Sequence, residues 1–179
     1  LGGEDITHAP PSARMRAGVA VIPENRNVMG LVPDFSVTEN LLLGSQDGKA
    51  FCKAGFVRWK TVKAYARSRV ERFDVVPREI ELPARTFSGG NQQKIIVARE
   101  LSLEGIRLVV AVQPTRGLDI GATEFVHKQL MRMRDQGAAI LLISTELDEV
   151  RSLSNRIAVM YEGKIVALVN VQKVGFDIK

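Results

Sequence analysis

Hydrophobic positions along the chain change period several times, and each change marks a new element. Val19 to Ile22 is a short β-branched run that stops at Pro23-Glu24-Asn25-Arg26, the pattern of a strand entering a loop. Ser36-Val37-Thr38-Glu39 has capping-box spacing ahead of Leu41, Leu42 and Leu43, and Gly44 stands where that helix breaks. Trp59, Val62, Ala66, Val70 and Phe73 recur at steps of three and four, which predicts an amphipathic helix. Its other face carries Arg58, Lys60, Lys63, Arg67, Arg69 and Arg72, a solvated basic face. Trp59 and Tyr65 read as packing residues on this helix. Pro77 and Pro83 punctuate the return, so residues 34–87 are expected to form an all-helical subdomain inserted into an α/β core.

From Asn91 onward, helical patterns alternate with short, fully apolar runs. That alternation signals right-handed βαβ units and a parallel sheet covered on both faces. Leu108-Val109-Val110-Ala111-Val112 and Ala138 to Ile143 are the strands. Asp119 is placed to cap a helix whose buried stripe is Ala122, Val126, Leu130 and Met133, and Gly137 to close its last turn. Thr145-Glu146-Leu147-Asp148 resembles another capping box, with Val150 and Leu153 facing inward. Ile157-Ala158-Val159-Met160 and Ile165-Val166-Ala167-Leu168 flank Glu162-Gly163 as a hairpin, expected at the far edge of the sheet. The fold class is therefore α/β, divided into a partial core over 1–33, the helical insert over 34–87, a helix and core over 88–170 and a tail over 171–179.

Composition narrows the class. At 179 residues, 45% hydrophobic and 25% charged, the chain has enough apolar surface for one core and a small satellite. It begins at Leu1, and Leu1-Gly2-Gly3-Glu4-Asp5 reads like a turn inside a domain, so a longer parent is expected. A lone Cys52 gives no disulfide framework, and His8 and His127 lack zinc spacing, so no structural metal is expected. No apolar stretch approaches the ~18 residues of a membrane span, and the chain is expected to be soluble by itself. The net charge of +5 permits nucleic-acid or anionic-lipid association without demanding it.

The densest candidate chemistry lies in Phe87-Ser88-Gly89-Gly90-Asn91-Gln92-Gln93-Lys94, at the start of an apolar-patterned helix. Unpaired backbone N–H groups and the positive end of the helix dipole favour an anion ahead of Ser88. The paired glycines permit close backbone approach, Ser88 caps the helix or donates to phosphate, and Asn91 and Gln92 add neutral donors. A Ser-Gly-Gly cap without any ligand has the same sequence. What separates the two readings lies downstream, where the apolar run ends in Gln113-Pro114-Thr115-Arg116-Gly117-Leu118-Asp119.

A Ser-Gly-Gly helix, a buried strand and a Pro-Thr-Arg-Gly-Leu-Asp loop in this order resemble the ATP-binding cassette (ABC) ATPases of membrane transporters. The Ser-Gly-Gly-Asn-Gln-Gln-Lys and Arg-Gly-Leu-Asp-Ile-Gly-Ala forms are similar to those of double-cassette importers for ribose-type sugars and nucleosides. The resemblance implies a RecA-like P-loop NTPase core with an inserted helical subdomain. It also implies ATP and Mg²⁺ as cofactors, held mainly by a sister cassette, and transmembrane permease subunits as partners. An extracytoplasmic solute-binding protein would act indirectly, and the location would be the cytoplasmic face of the cell membrane, peripherally.

In such cassettes each ATP lies between the P-loop of one and the signature helix of the other. Ser88, Gly89, Gly90, Asn91 and Gln92 match that in-trans role, and Asp119 matches the loop aspartate that crosses between cassettes. The residues that would act in cis are missing. Anchored on Pro114, the family's metal-holding aspartate and its glutamate fall on Val112 and Gln113. The histidine that senses the γ-phosphate falls on Thr145, and the glutamine after the early strand on Glu24. Valine cannot ligate a hard cation, and a neutral glutamine orients water without taking its proton. Loss of such a base costs about 10² to 10⁴ in rate. The nearest approach to a P-loop, Gly44-Ser45-Gln46-Asp47-Gly48-Lys49-Ala50, is one spacer short, lacks the hydroxyl and follows a helix, so it reads as an interhelical loop.

No catalytic residue is therefore intact, and this chain alone is expected to be inactive. Arg116 reads as a surface ion-pair former, and Leu31 to Val37 as a segment facing a transmembrane partner. A soluble ABC-type factor that binds nucleic acid or ribosomes is the alternative, supported only by basic charge. An inert scaffold whose signature merely caps a helix is a third reading.

Overall fold

The computed structural model describes residues 1–46 and 49–171. Three parallel strands form its central sheet in the order β1 (Val19–Ile22), β4 (Leu108–Val112), β5 (Ala139–Ile143). Val19 pairs with Leu108, and Leu108 with Ala139, so all three strands end together at their C-terminal edge. Ligands of open parallel sheets bind at that edge.

The core lies where α4 (Gly89–Glu100) packs against β1, the insert and α5 (Ile120–Asp135). Ile95, Ile96, Val97 and Ala98 are all fully buried, so the middle turn of α4 is enclosed all round. Ala122, Val126 and Leu130 are buried on α5 with Met133 half-buried behind them, and Gly137 adopts φ +95 just past its end. Among the described residues, the opposite face of the sheet is left open. Val21, Leu141 and Ile143 are each 42–50% exposed on it.

The insert carries α2 (Val37–Leu42) and α3 (Trp59–Arg72). The Ser36/Glu39 capping box forms in both directions, and Gly44 takes φ +82 beyond the helix. Val62, Ala66 and Val70 of α3 are buried as its period predicts, and its Tyr65 packs edge-on against Phe51 at 4.9 Å. Trp59, however, is 46% exposed, because it sits in the first turn beyond the reach of the core.

The insert is not all-helical. A two-residue loop, Ala54-Gly55, with both residues at positive φ, closes a hairpin between β2 (Cys52–Lys53) and β3 (Phe56–Val57). Such a loop matches the twist of paired strands, whereas strands this short leave no periodic signal. The Gly44–Ala50 segment follows a helix, and its Asp47 and Gly48 lie outside the described residues.

The closing hairpin, β6 (Arg156–Tyr161) and β7 (Lys164–Asn170), forms around Glu162-Gly163 as expected. It does not join the parallel sheet. The helix α6 (Leu147–Leu153) and the extended Ser154 separate β6 from β5, and β6 pairs only with β7. The capping box expected at Thr145 is also absent: Glu146 is the cap residue without a side-chain bond, and Ser144 Oγ accepts from its N–H at 3.0 Å. Val150 and Leu153 are half-buried, and the buried residue of α6 is Glu149. Of the expected tail over 171–179, all but Val171 lies outside the described residues.

Candidate functional site

Ser88 caps α4. Its Oγ accepts from the Asn91 N–H at 3.4 Å and from Asn91 Nδ2 at 3.0 Å. Ser88 is exposed, while Gly89, Gly90, Asn91 and Gln92 are half-buried, so this helix start opens to the surface. Both expected side-chain amides are bonded within the chain, Asn91 Nδ2 to Ser88 Oγ as above. Asn91 Oδ1 accepts from the Val76 N–H at 2.8 Å, and Gln92 Nε2 donates to the Ala84 carbonyl at 3.3 Å. What α4 offers an anion is therefore its first backbone amides, at Gly89 and Gly90, and the Ser88 hydroxyl.

Asp119 accepts from the Ala122 N–H at 2.8 Å and caps α5 as predicted. The two capped helix starts touch, because Gly90 is a glycine. A Cβ there would lie 3.0 Å from Ala122 Cβ and 3.4 Å from Asp119 Oδ2. One turn further in, the buried Gln93 donates from Nε2 to the Pro114 carbonyl at 2.8 Å, tying α4 to the loop after β4. Lys94 bonds the Asp74 carboxylate at 2.9 Å and lies over the Phe125 ring. The hydrogen bond and charge of Lys94, with Arg78 adding to them, hold the Asp74 carboxyl below its ordinary value.

Val112 is the half-buried last residue of β4, and Gln113 follows it at φ +48, a left-handed backbone for a non-glycine residue. Gln113 Oε1 accepts from both the N–H and the hydroxyl of Thr145, at 3.3 Å each. Two of the altered positions thus bond one another, through neutral groups. Among the described residues, no group of three or more His, Cys, Asp or Glu side chains converges to hold a metal ion. The set at Val112, Gln113 and Thr145 fits Mg²⁺ poorly, because it offers no carboxylate and its two neutral side-chain oxygens are hydrogen-bonded to one another.

Glu24 forms an ion pair with Arg116, the partner role expected of that arginine. Beside this pair Arg26 donates from Nη1 to the Arg116 carbonyl at 3.2 Å, and a Cβ on Gly89 would lie 2.8 Å from Arg26 Nη2. Glu24, Asn25, Arg26, Asn27, Arg116 and Gly117 line a cleft of about 500 Å³. The sequence reading missed Arg26, which has no motif of its own. It also missed a buried cluster in which Glu149 Oε1 accepts from Thr115 Oγ1 at 2.9 Å and meets His127 Nε2 at 2.8 Å. Spacings of 34 and 22 residues leave that cluster no local signature. In the expected partner-facing segment, Leu31 and Val37 are buried while Val32 and Phe35 are exposed.

The chain is 44% identical to the guanosine import ATP-binding protein NupO of Bacillus subtilis, over 97% of this chain and 34% of that protein. It is 42% identical to the nucleoside import ATP-binding protein NupA of Lactococcus lactis, over 95% of this chain and 33% of NupA. The chain belongs to the ATP-binding cassette family. A ribose import ATP-binding protein, RbsA of Oceanobacillus iheyensis, is 37% identical over 92% of this chain and 33% of its own length. The chain thus spans about a third of the curated relatives it matches. Its fold is similar to the ATP-binding cassette MJ0796 in a dimeric, post-hydrolysis state bound to ADP and Pi. The TM-score is 0.76 at 18% identity, covering 98% of this chain and 73% of that one. No family model matches the chain. The α/β class and the parallel sheet are those of an ABC cassette, and no described helix is long and apolar enough to cross a membrane.

Proposed function

We propose that this chain is the signature-bearing part of the second cassette in a double-cassette ABC importer, and that it completes the ATP site of its sister. Nucleosides are favoured over ribose-type sugars as the transported class, because the relatives of 44% and 42% identity are named for guanosine and nucleoside import. The observation that carries the reading is an asymmetry. The Ser88-capped start of α4 opens to the surface beside Asp119, whereas the chain's own residues at Val112, Gln113 and Thr145 contain no acid and no histidine.

Amides at the γ-phosphate stabilise charge that develops in phosphoryl transfer without serving as the base. Ser88, Gly89 and Gly90 fit that task toward ATP held by the sister's P-loop. Mg²⁺ belongs to the sister cassette, since no carboxylate stands at Val112, Gln113 or Thr145 to hold it. The bare face of the sheet, with Val21, Leu141 and Ile143, takes the P-loop-bearing segment of the parent. Exposed Val28, Met29, Val32 and Phe35 face the permease at the cytoplasmic side of the membrane.

ATP turnover by the complete importer tests this. Ser88→Arg places a long cation in the phosphate path and abolishes turnover, while Gln113→Glu changes it by less than about twofold. The reverse pattern places catalysis in this half and ends the proposal. If Ser88→Arg leaves turnover intact, the signature is only a helix cap.

A further inference from the structure

Arg26 opens a five-residue π-helical turn, Arg26–Gly30, that lies along α4 and is fixed to it at both ends. At the far end Gly30 has no room for a side chain, since a Cβ would lie 2.5 Å from Ile96 Cδ1. At the near end the Arg26 guanidinium covers Gly89, with Nη2 2.8 Å from the position of a Cβ on that glycine. The Asn25 side chain caps the turn by accepting from the Asn27 and Val28 N–H groups, both at 3.1 Å, so the residue preceding Arg26 is itself held.

The guanidinium is committed to one hydrogen bond, from Nη1 to the Arg116 carbonyl at 3.2 Å, and its Nε is buried without a partner. A buried donor left unpaired costs about 1–3 kcal/mol. An arginine that only sought solvent or an acid would turn outward, and Glu24 close by is already bonded to Arg116. The side chain is seated where it fills the space between the signature helix and the Pro-Thr-Arg-Gly loop.

We propose that Arg26 is a positioning residue of the signature. Its guanidinium, wedged between Gly89 and the Arg116 carbonyl, sets the angle at which the Gly89 and Gly90 amides face an incoming phosphate. This rests on the in-trans reading of Ser88 to Gly90 given above. It also bears on Gly89: a side chain there would displace the Arg26 guanidinium, whose Nη2 lies 2.8 Å from the position of its Cβ.

Three measurements test it. In the complete importer, Arg26→Ala lowers kcat about tenfold while KM for ATP stays within about twofold, since donors misaimed by a small displacement lose charge stabilisation in the transition state. Gly89→Ala displaces the guanidinium and lowers kcat in the same way, so adding Arg26→Ala to it costs little more. Independent losses that multiply would refute the proposal, as would Arg26→Ala at wild-type kcat. Amide shifts measured on the 179-residue chain itself supply a readout without turnover. Arg26→Ala moves the Gly89, Gly90 and Gly117 N–H resonances with little change in those of α5's last turn, and unmoved glycine signals overturn the assignment. Ser88→Arg serves as the control. If it leaves turnover intact, the in-trans reading fails; if it abolishes turnover while Arg26→Ala does not matter, only the role of Arg26 fails.

Discussion

Replacing Glu149 should destabilise the chain more than any exposed substitution on α6, and by an amount the geometry sets. The side chain is 4% exposed, and its Oε1 is the shared acceptor for the Thr115 hydroxyl at 2.9 Å and His127 Nε2 at 2.8 Å. Its other oxygen is buried without a partner. Glu149→Leu removes the acceptor from both donors. Hydrogen bonds to a charged group contribute about 1.5–3 kcal/mol each. His127 is one-quarter exposed and regains some of its loss from water, and the orphaned oxygen disappears with the substitution. The expected net loss is about 3 kcal/mol, roughly 6–12 °C in Tm for a domain of this size.

Glu149→Gln keeps the shared acceptor and places an amide where the unpartnered oxygen was, so less than half of that loss is expected. Urea unfolding followed by circular dichroism, with the slope checked for constancy, measures both. A Glu149→Leu variant within about 0.5 kcal/mol of wild type would refute the reasoning. A Gln variant as destabilised as the Leu variant would also refute it, since the carboxylate's charge rather than its position as acceptor would then hold the cluster. A Thr115→Val/Glu149→Leu double variant should fall short of the sum of its parts, because the two residues share one bond.

Three further outcomes follow from named contacts. The Glu39 carboxyl is held below its ordinary value by hydrogen bonds from the Ser36 side chain and backbone, so the unfolded chain binds its proton more readily than the folded one. Its contribution is complete above the ordinary glutamate value and fades as pH falls through the lowered folded value; Glu39→Gln should flatten the part of a stability–pH curve that lies below the ordinary glutamate value. Asp119→Ala should cost about 1 kcal/mol by loss of the cap on α5, read by thermal melting. Leu130→Ala, at a fully buried site of α5, should cost about 2–5 kcal/mol in urea unfolding.

Local patterns made the main elements readable before any coordinates. The period of α3, the capping box of α2 and the caps at Ser88 and Asp119 are short-range features, written within a few residues. The parallel sheet followed from alternation of apolar runs with helices. What escaped was set by contacts distant in sequence or by elements too short to show a period. The β2–β3 hairpin has two residues per strand, and the C-terminal hairpin gave no sign of which sheet it would join. Thr145 looked like a cap because its spacing to Asp148 is right, but its hydroxyl is bonded to Gln113, 32 residues away. The same held at the site. Asn91 and Gln92 were read as ligand donors from their place at a helix start, yet Asn91 holds the Val76 N–H with its Oδ1 and donates to Ser88 Oγ, while Gln92 donates to the Ala84 carbonyl.

The two halves of the proposed asymmetry differ in what they are made of, and that explains how one persists while the other is absent. The donors of the signature are backbone amides, which exist wherever a helix begins with glycines and a cap; their function rests on geometry. A cis site for metal and base rests on particular side chains, and a single exchange removes each. At Gln113 the residue type is neutral, but the backbone remains at φ +48, a conformation that costs a non-glycine residue of order 1 kcal/mol or more. Neighbours pay for that strain: Gln113 N–H donates to the Ile143 carbonyl at 2.7 Å, and Oε1 takes both donors of Thr145. On the proposed reading, the position that would carry a catalytic acid is held in a fixed turn by a group that cannot act as one. Restoring Glu at 113 alone gives the Thr145 N–H and hydroxyl a stronger acceptor and holds the new carboxylate in the same bonds, which is why that substitution is expected to recover so little.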